Sequence, residues 1–238
     1  HRLSLLRIKE SFKSHHAVAL QPNNQWREKF LATLPFQLTG AQQRVVDEIS
    51  VDMNRPQPML RLVQGDVGSG KTVVAALAML QAMANGYQTV MMAPTELLAE
   101  QHYRNFKKWL EPLGLCVVCL TGSIKGRART AVLEAVKTGA AHIVLGTHAL
   151  FQEGVEFSKL ALVIIDEQHR FGVQQRALLR DKGAQETMHP HQLIMTATPI
   201  PRTLSMSFYA DLDLSVIDEL PPGRTPITTS VLLKTKRD

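Results

Sequence analysis

From Thr39 onward the chain alternates between two patterns. Short runs that are apolar at nearly every position read as strands buried on both faces: "MLRLVQG", "TVMMAP", "CVVCLTG", "AHIVLGT", "LALVIIDE" and "QLIMTAT". Most are separated by stretches with apolar residues three and four apart, which read as helices: "GAQQRVVDEISVDM", "KTVVAALAMLQAMAN", "TELLAEQHYRNFKKWL" and "GRARTAVLEAVKTG". Gly86 stands where the second of these should end, in the position of a C-terminal cap. The alternation predicts an α/β fold, a mainly parallel sheet with helices on both faces. Ligands of such sheets gather at the carboxyl ends of the strands. Polar residues fall there: Gly65, Pro94–Thr95, Thr121–Gly122, Thr147–His148, Asp166–Glu167 and Thr196. A single site-bearing edge is the expectation.

The flanks are less regular. Residues 1 to about 34 read as a basic helical stretch and a loop, "QPNNQ", with "KFLATLPF" leading onward. The end, "ELPPGRTPITTSVLLKTKRD", reads as a connector leading out of the domain. No apolar run is long enough to span a bilayer, and "HRLSLLRIKE" has no secretory apolar segment, so a soluble cytoplasmic protein is expected. The first residue is not Met, which suggests an excised fragment.

Composition changes this picture little. At 238 residues and 45% hydrophobic content the chain can bury a substantial core. The formal charge of +6 tilts toward an anionic partner such as nucleic acid, without requiring one. Both cysteines lie in "CVVC", a spacing that suggests a metal or redox pair. Residues three apart on a strand face opposite sides, however, and there is no second pair, so Cys116 and Cys119 are expected in the core. His15–His16 and the "HPH" at 189–191 read as exposed polar segments. Met79, Met83, Met91 and Met92 fall at packing positions.

The chemistry begins with "GDVGSGKT": Gly65, Asp66, Val67, Gly68, Ser69, Gly70, Lys71 and Thr72. It fits the phosphate-loop pattern G-x-x-x-x-G-K-S/T, after a strand and before a helix. Glycines let backbone N–H groups converge on phosphate oxygens, and the helix N-terminus adds a favourable dipole. Lys71 would reach the β- and γ-phosphates, and Thr72 would offer its hydroxyl to Mg²⁺. The alternative is a tight strand-to-helix turn with an exposed lysine. The acidic pair Asp166–Glu167 follows six apolar residues directly. In P-loop enzymes a carboxylate at the end of a neighbouring strand helps hold the metal, which suits Asp166. Glu167 is then placed to polarise or deprotonate the attacking water. A surface acidic pair is the bland alternative. Together these residues predict a nucleoside triphosphatase using ATP and Mg²⁺.

Several further strings occur in the order found in superfamily 2 helicases and translocases, which this chain resembles across residues 40–203. "APTELLAEQ" resembles their motif Ia, "LTGS" Ib, "GTHAL" Ic, "DEQH" motif II in its DExH form and "TATPIPRT" motif III. "DEQHRFGVQQR", "MTATPIPRTL" and "IDELPPGRTPI" are most similar to the RecG family, translocases that remodel branched DNA; the polymerase-displacing Mfd family shares only part of this pattern. The resemblance implies a RecA-like first motor lobe over 35–222. Residues 1–34 become a helical linker from an upstream DNA-binding wedge domain, and 223–238 a connector toward a second lobe. Stalled forks and Holliday junctions in recombination and repair would be the substrates.

The resemblance also assigns roles. Gln42 matches the adenine-recognising glutamine, and Phe36 packs on the base or in the core. Pro94, Thr95, Thr121, Gly122, Thr147 and His148 line the DNA track, holding phosphates without reading sequence. For Thr147 and His148 strand-end capping is the alternative. Arg104, Lys107 and Lys108 read as a solvated helix face that adds attraction at most. Gln168 and His169 sense the γ-phosphate, Thr196 and Thr198 couple hydrolysis to movement, and Arg170 and Phe171 relay nucleotide state. An arginine finger from the second lobe is implied, so this chain alone should hydrolyse ATP very slowly. Outside this class, a small-molecule P-loop kinase or a non-catalytic nucleic-acid module are the alternatives.

Overall fold

A computed structural model of the protein describes residues 16–152, 154–167, 188–198 and 212–219. The strands are β1 (Leu60–Gly65), β2 (Gln88–Met92), β3 (Val117–Leu120), β4 (Ile143–Gly146), β5 (Leu160–Asp166), β6 (His191–Thr196) and β7 (Asp213–Ile217). They form one sheet in the order β3-β4-β2-β5-β6-β1-β7, and every pairing is parallel. The helices among the described residues are α1 (Asn24–Thr33), α2 (Gly40–Met53), α3 (Lys71–Ala84), α4 (Glu96–Leu110) and α5 (Gly126–Thr138). The expected α/β class is therefore the observed one.

Alternate residues of each central strand feed two separate cores. Val63, Met91, Ile143, Leu145, Leu162, Ile164, Leu193 and Met195 pack on one face, against α1–α4. Leu62, Val90, Met92, Val144, Val163, Ile165 and Ile194 pack on the other, with Val136 of α5. Both faces are covered, which is why these strands are apolar at consecutive positions rather than alternating. Helix α3 follows the phosphate loop and is buried along most of its length, from Val73 to Ala82. It ends as expected: Gly86, at φ +80°, donates to Met83 O, and Tyr87 N donates to Ala82 O, a Schellman cap.

Helix α2 starts with a reciprocal cap: the Thr39 hydroxyl accepts from Gln42 N, and Gln42 Oε1 accepts from Thr39 N. Its far end is tied to the sheet by a buried cation. Arg61 of β1 donates to Asp52 at 2.9 and 2.5 Å, to Glu48 at 3.1 Å and to Ser215 of β7 at 2.7 Å. Burying a guanidinium demands such pairing.

Several expectations need correction. The loop read at "QPNNQ" is shorter than expected: Asn23 caps α1, its Oδ1 accepting from Trp26 N, and Asn24 and Gln25 already belong to the helix. Trp26, Phe30 and Leu34 recur at four-residue spacing and turn that face inward, Phe30 being fully buried. Further back, Leu20 lies in the same core; its N donates to Met53 O, and its carbonyl accepts from Gln81. A seventh strand, β7, was not anticipated; it lies at the sheet edge, and only Ser215 and Ile217 of it are buried. The cysteines are not core residues. Cys116 precedes β3 and is exposed, and Cys119 is half-buried, because β3 is the opposite edge strand. Burial still pushes the Cys119 thiol up to about 11. His191 is not exposed but wholly buried in β6, where Nδ1 accepts from Met59 N at 3.0 Å and Nε2 lies 2.8 Å from Val18 O.

Candidate active site

Since every strand points the same way, the six strand ends named from sequence lie along one edge of the sheet. The strand order then divides them. β5, β6 and β1 are neighbours and carry Asp166–Glu167, Thr196 and Gly65; β3, β4 and β2 are neighbours and carry Thr121, Thr147 and Pro94–Thr95.

The phosphate loop runs from β1 into α3. Gly68 and Gly70 both have positive φ, +81° and +88°, and a Cβ on Gly70 would collide with the Gln42 amide. A side chain there is thus excluded by both strain and space. Asp66, Val67 and Gly68 are exposed, whereas Ser69 is buried, its hydroxyl without a partner among the described residues. Gln42, 1% exposed, donates from Nε2 to Ser69 O at 2.7 Å. Here the glutamine braces the loop from behind. Lys71 Nζ donates to Gly65 O at 2.6 Å and Asp66 O at 3.0 Å, and Thr72 is half-buried in the first turn of α3. Desolvation lowers the Lys71 pKa, opposed by the nearby carboxylates of Asp166, Glu167 and Asp66. Lys71 and the acidic pair therefore share one neighbourhood.

Asp166 ends β5 with 8% exposure. Glu167 follows at φ +54°, the only non-glycine residue with positive φ among the described residues. Such a conformation costs on the order of 1–3 kcal/mol and persists only where surroundings impose it. They do so from β6: Glu167 N donates to Met195 O at 2.9 Å, and Glu167 Oε1 accepts from Ala197 N at 3.1 Å. Thr196 Oγ1 lies 2.8 Å from Thr198 Oγ1 and 3.5 Å from Glu167 Oε2. Motif II and motif III are thereby brought together.

One site residue went unnoticed in the sequence. His102 of α4 is 8% exposed, and its Nε2 lies 2.7 Å from Asp166 Oδ2. The available signal was a histidine on the buried stripe Ala99–His102–Phe106–Leu110 of an otherwise polar helix.

On the other half of the edge, Thr95 is exposed and caps α4, its hydroxyl accepting from Leu98 N at 3.3 Å; Pro94 is half-buried. Glu96 Oε1 accepts from Ser123 N at 3.2 Å and so joins the start of α4 to the loop after β3. Gly122 and His148 are exposed, but Thr121 and Thr147 are buried. Thr121 Oγ1 lies 2.8 Å from Ser123 Oγ; the Thr147 hydroxyl has no partner among the described residues and makes no cap. Phe36, 42% exposed, is not a core residue. Arg104 pairs with Glu100 and Lys107 with Glu111 along a solvated face of α4. Gln168, His169, Arg170 and Phe171 lie outside the described residues. Among those described, no helix is long and apolar enough to cross a membrane, and no cluster of three or more metal-ligating His, Cys, Asp or Glu side chains occurs.

Comparison with known proteins agrees with this geometry. The ATP-dependent DNA helicases RecG of Haemophilus influenzae and Escherichia coli K12 are 60% and 61% identical to this chain over 237 residues, covering all of it and 34% of each relative. The chain thus spans about a third of the length of the curated relatives it matches. A solved structure of RecG bound to a three-way DNA junction superposes with a TM-score of 0.84 at 41% identity, over 94% of this chain and 30% of that one. The model of the DEAD/DEAH box helicases matches residues 39–207, which sets the kinase alternative aside. That match takes in the phosphate loop, the strand-end acids and, from motif III, Thr196–Thr198 on one continuous sheet edge, and the chain belongs to the DEAD/DEAH box helicase family.

Proposed function

We propose that this chain is the ATP-binding lobe of an ATP-dependent DNA translocase that remodels branched DNA, such as stalled forks and Holliday junctions, in recombination and repair. The lobe occupies 35–222, entered through 1–34 from a DNA-binding wedge domain and left through 223–238 toward a second motor lobe. The observation that carries this reading is the shared neighbourhood of Lys71, Asp166 and Glu167 at the carboxyl ends of β1 and β5, the two strands that flank β6. The likeness to RecG along the whole chain supports branched DNA as the substrate.

In this reading the backbone of Asp66–Gly70 wraps the phosphates, and Lys71 exchanges its carbonyl partners for phosphate oxygens. The donor set suits a hard divalent cation: the Thr72 hydroxyl and an Asp166 carboxylate oxygen are hard oxygen ligands. Mg²⁺ bound there would neutralise charge developing on the transferred phosphoryl group. Glu167, held by the end of β6, takes a proton from the attacking water. Because Thr196 and Thr198 belong to the segment whose Met195 and Ala197 hold Glu167, they are the residues through which hydrolysis reaches the rest of the lobe. Gln42 acts on the nucleotide first through the loop it braces; its second amide N–H and the second lone pair of Oε1 are left for adenine. Thr95, Gly122 and His148 present the accessible part of the DNA track, with Pro94, Thr121 and Thr147 shaping it from beneath.

The test is ATP hydrolysis by the intact protein on forked, duplex and single-stranded DNA. Forked DNA should stimulate most, and Glu167→Gln should lower turnover about 10²-fold or more, the contribution of a positioned acid–base group. Equal rates on the three DNAs, or an unimpaired variant, would remove the reading.

A further inference from the structure

We propose that His102 is a positioning residue for Asp166, fixing which of its carboxylate oxygens faces the metal; this rests on the reading of Asp166 as the metal carboxylate. The contact is short, 2.7 Å, and its partners are each 8% exposed, so water competes little for it. With the ring proton on Nε2, His102 donates to Oδ2. Nδ1 has no partner among the described residues; with the proton on Nε2 it is a bare acceptor, whereas a doubly protonated ring would bury an unpaired N–H there. The Phe106 ring, 6.3 Å away between centroids, lies against the imidazole on the same helix. Oδ2 is thus engaged, and no hydrogen bond to Oδ1 is made among the described residues. A carboxylate free to rotate would offer either oxygen; one held at Oδ2 presents Oδ1 in a fixed direction. Partners that orient a metal ligand typically contribute 10–100-fold in metal affinity or activity.

The bond also crosses the division of the sheet edge. His102 sits on the helix that Thr95 caps and that Glu96 joins to the Thr121–Ser123 loop, whereas Asp166 belongs to the nucleotide half. The orientation of Asp166 is set by the helix that begins in the DNA track.

A merely structural histidine makes a different prediction, and three substitutions separate the two. Gln at 102 can place its amide near the imidazole Nε2, Asn stops short, and Leu fills the space without a donor. In the intact protein, binding of a fluorescent ATP analogue would be followed in EDTA and then against increasing Mg²⁺. In EDTA all variants should bind as wild type does. The Mg²⁺ concentration for half-maximal enhancement should rise about 10-fold or more in His102→Leu and His102→Asn, and return to within a few-fold of wild type in His102→Gln. With ATP saturating and Mg²⁺ held below the half-maximal concentration of the variants, turnover should fall in His102→Leu and His102→Asn, with the same rescue by His102→Gln. If the wild-type protein responds to Mg²⁺ and the Leu and Asn variants respond at the same concentration, this inference alone is overturned. A Gln variant as impaired as Leu overturns it equally. If nucleotide binding by the wild type ignores Mg²⁺, the reading of Asp166 fails and takes the inference with it. Should Leu prevent folding, Asn against Gln decides.

Discussion

At the scale of residues, a side chain's surroundings decide what its chemistry is worth. His191 has the same imidazole as exposed His148, yet burial holds its pKa below the ordinary 6.5. The folded state therefore resists protonating it, while the unfolded chain takes up a proton near 6.5. Stability from this residue is complete above that pH and is lost as pH falls below it, until the depressed folded value is reached. Urea midpoints between pH 8 and 5.5 should show this slope in wild type and a flatter one in His191→Gln, each compared with its own value at pH 8. Much of the candidate nucleotide site is legible at this scale because the loop from Gly65 to Thr72 is contiguous and its glycines have a backbone reason. The bond of His102 to Asp166 was not, since it joins residues 64 positions apart. Gln42 is singled out by the family pattern, but its hydrogen bond to Ser69, 27 positions away, is equally invisible in the sequence.

At the scale of elements, α2 shows how a helix is anchored at both ends. Its N-terminal cap is written locally, in Thr39 and Gln42. Its other anchor, Asp52 on Arg61 of β1, exists only once helix and sheet meet. Asp52→Ala should lower stability by about 3 kcal/mol, near the lower end of what stranding a buried charge costs, since Glu48 and Ser215 still contact Arg61. Pairing Asp52→Leu with Arg61→Met should recover most of that loss, because no charge is then left buried. Chemical denaturation of the single and double variants measures both. Elements with strong local signals were placed correctly: the run of apolar positions made β5, and three- and four-residue spacing made α4. Helix α1 and strand β7 escaped because each is short and buries only one side, so its pattern resembles a loop until a neighbour covers it.

At the scale of the whole molecule, one parallel sheet gives the two proposed functions a common edge, with β5 and β2 as the seam between them. The chain covers about a third of its RecG relatives, and the proposed second lobe would supply the arginine finger. Residues 1–238 alone should therefore bind nucleotide yet hydrolyse it roughly 10³–10⁵-fold more slowly than the intact protein, as single-turnover measurements on both would show. By itself the sequence determined the α/β class, the phosphate loop, the acidic pair and the family pattern, because each depends on residues close together in the chain. Only the tertiary structure decided the strand order that separates the proposed nucleotide and DNA-facing ends, the burial of Thr121, Thr147 and His191, the exposure of Phe36 and Cys116, and the histidine behind Asp166. Those depend on which distant segments exclude water from one another, and periodicity along a chain carries no record of that.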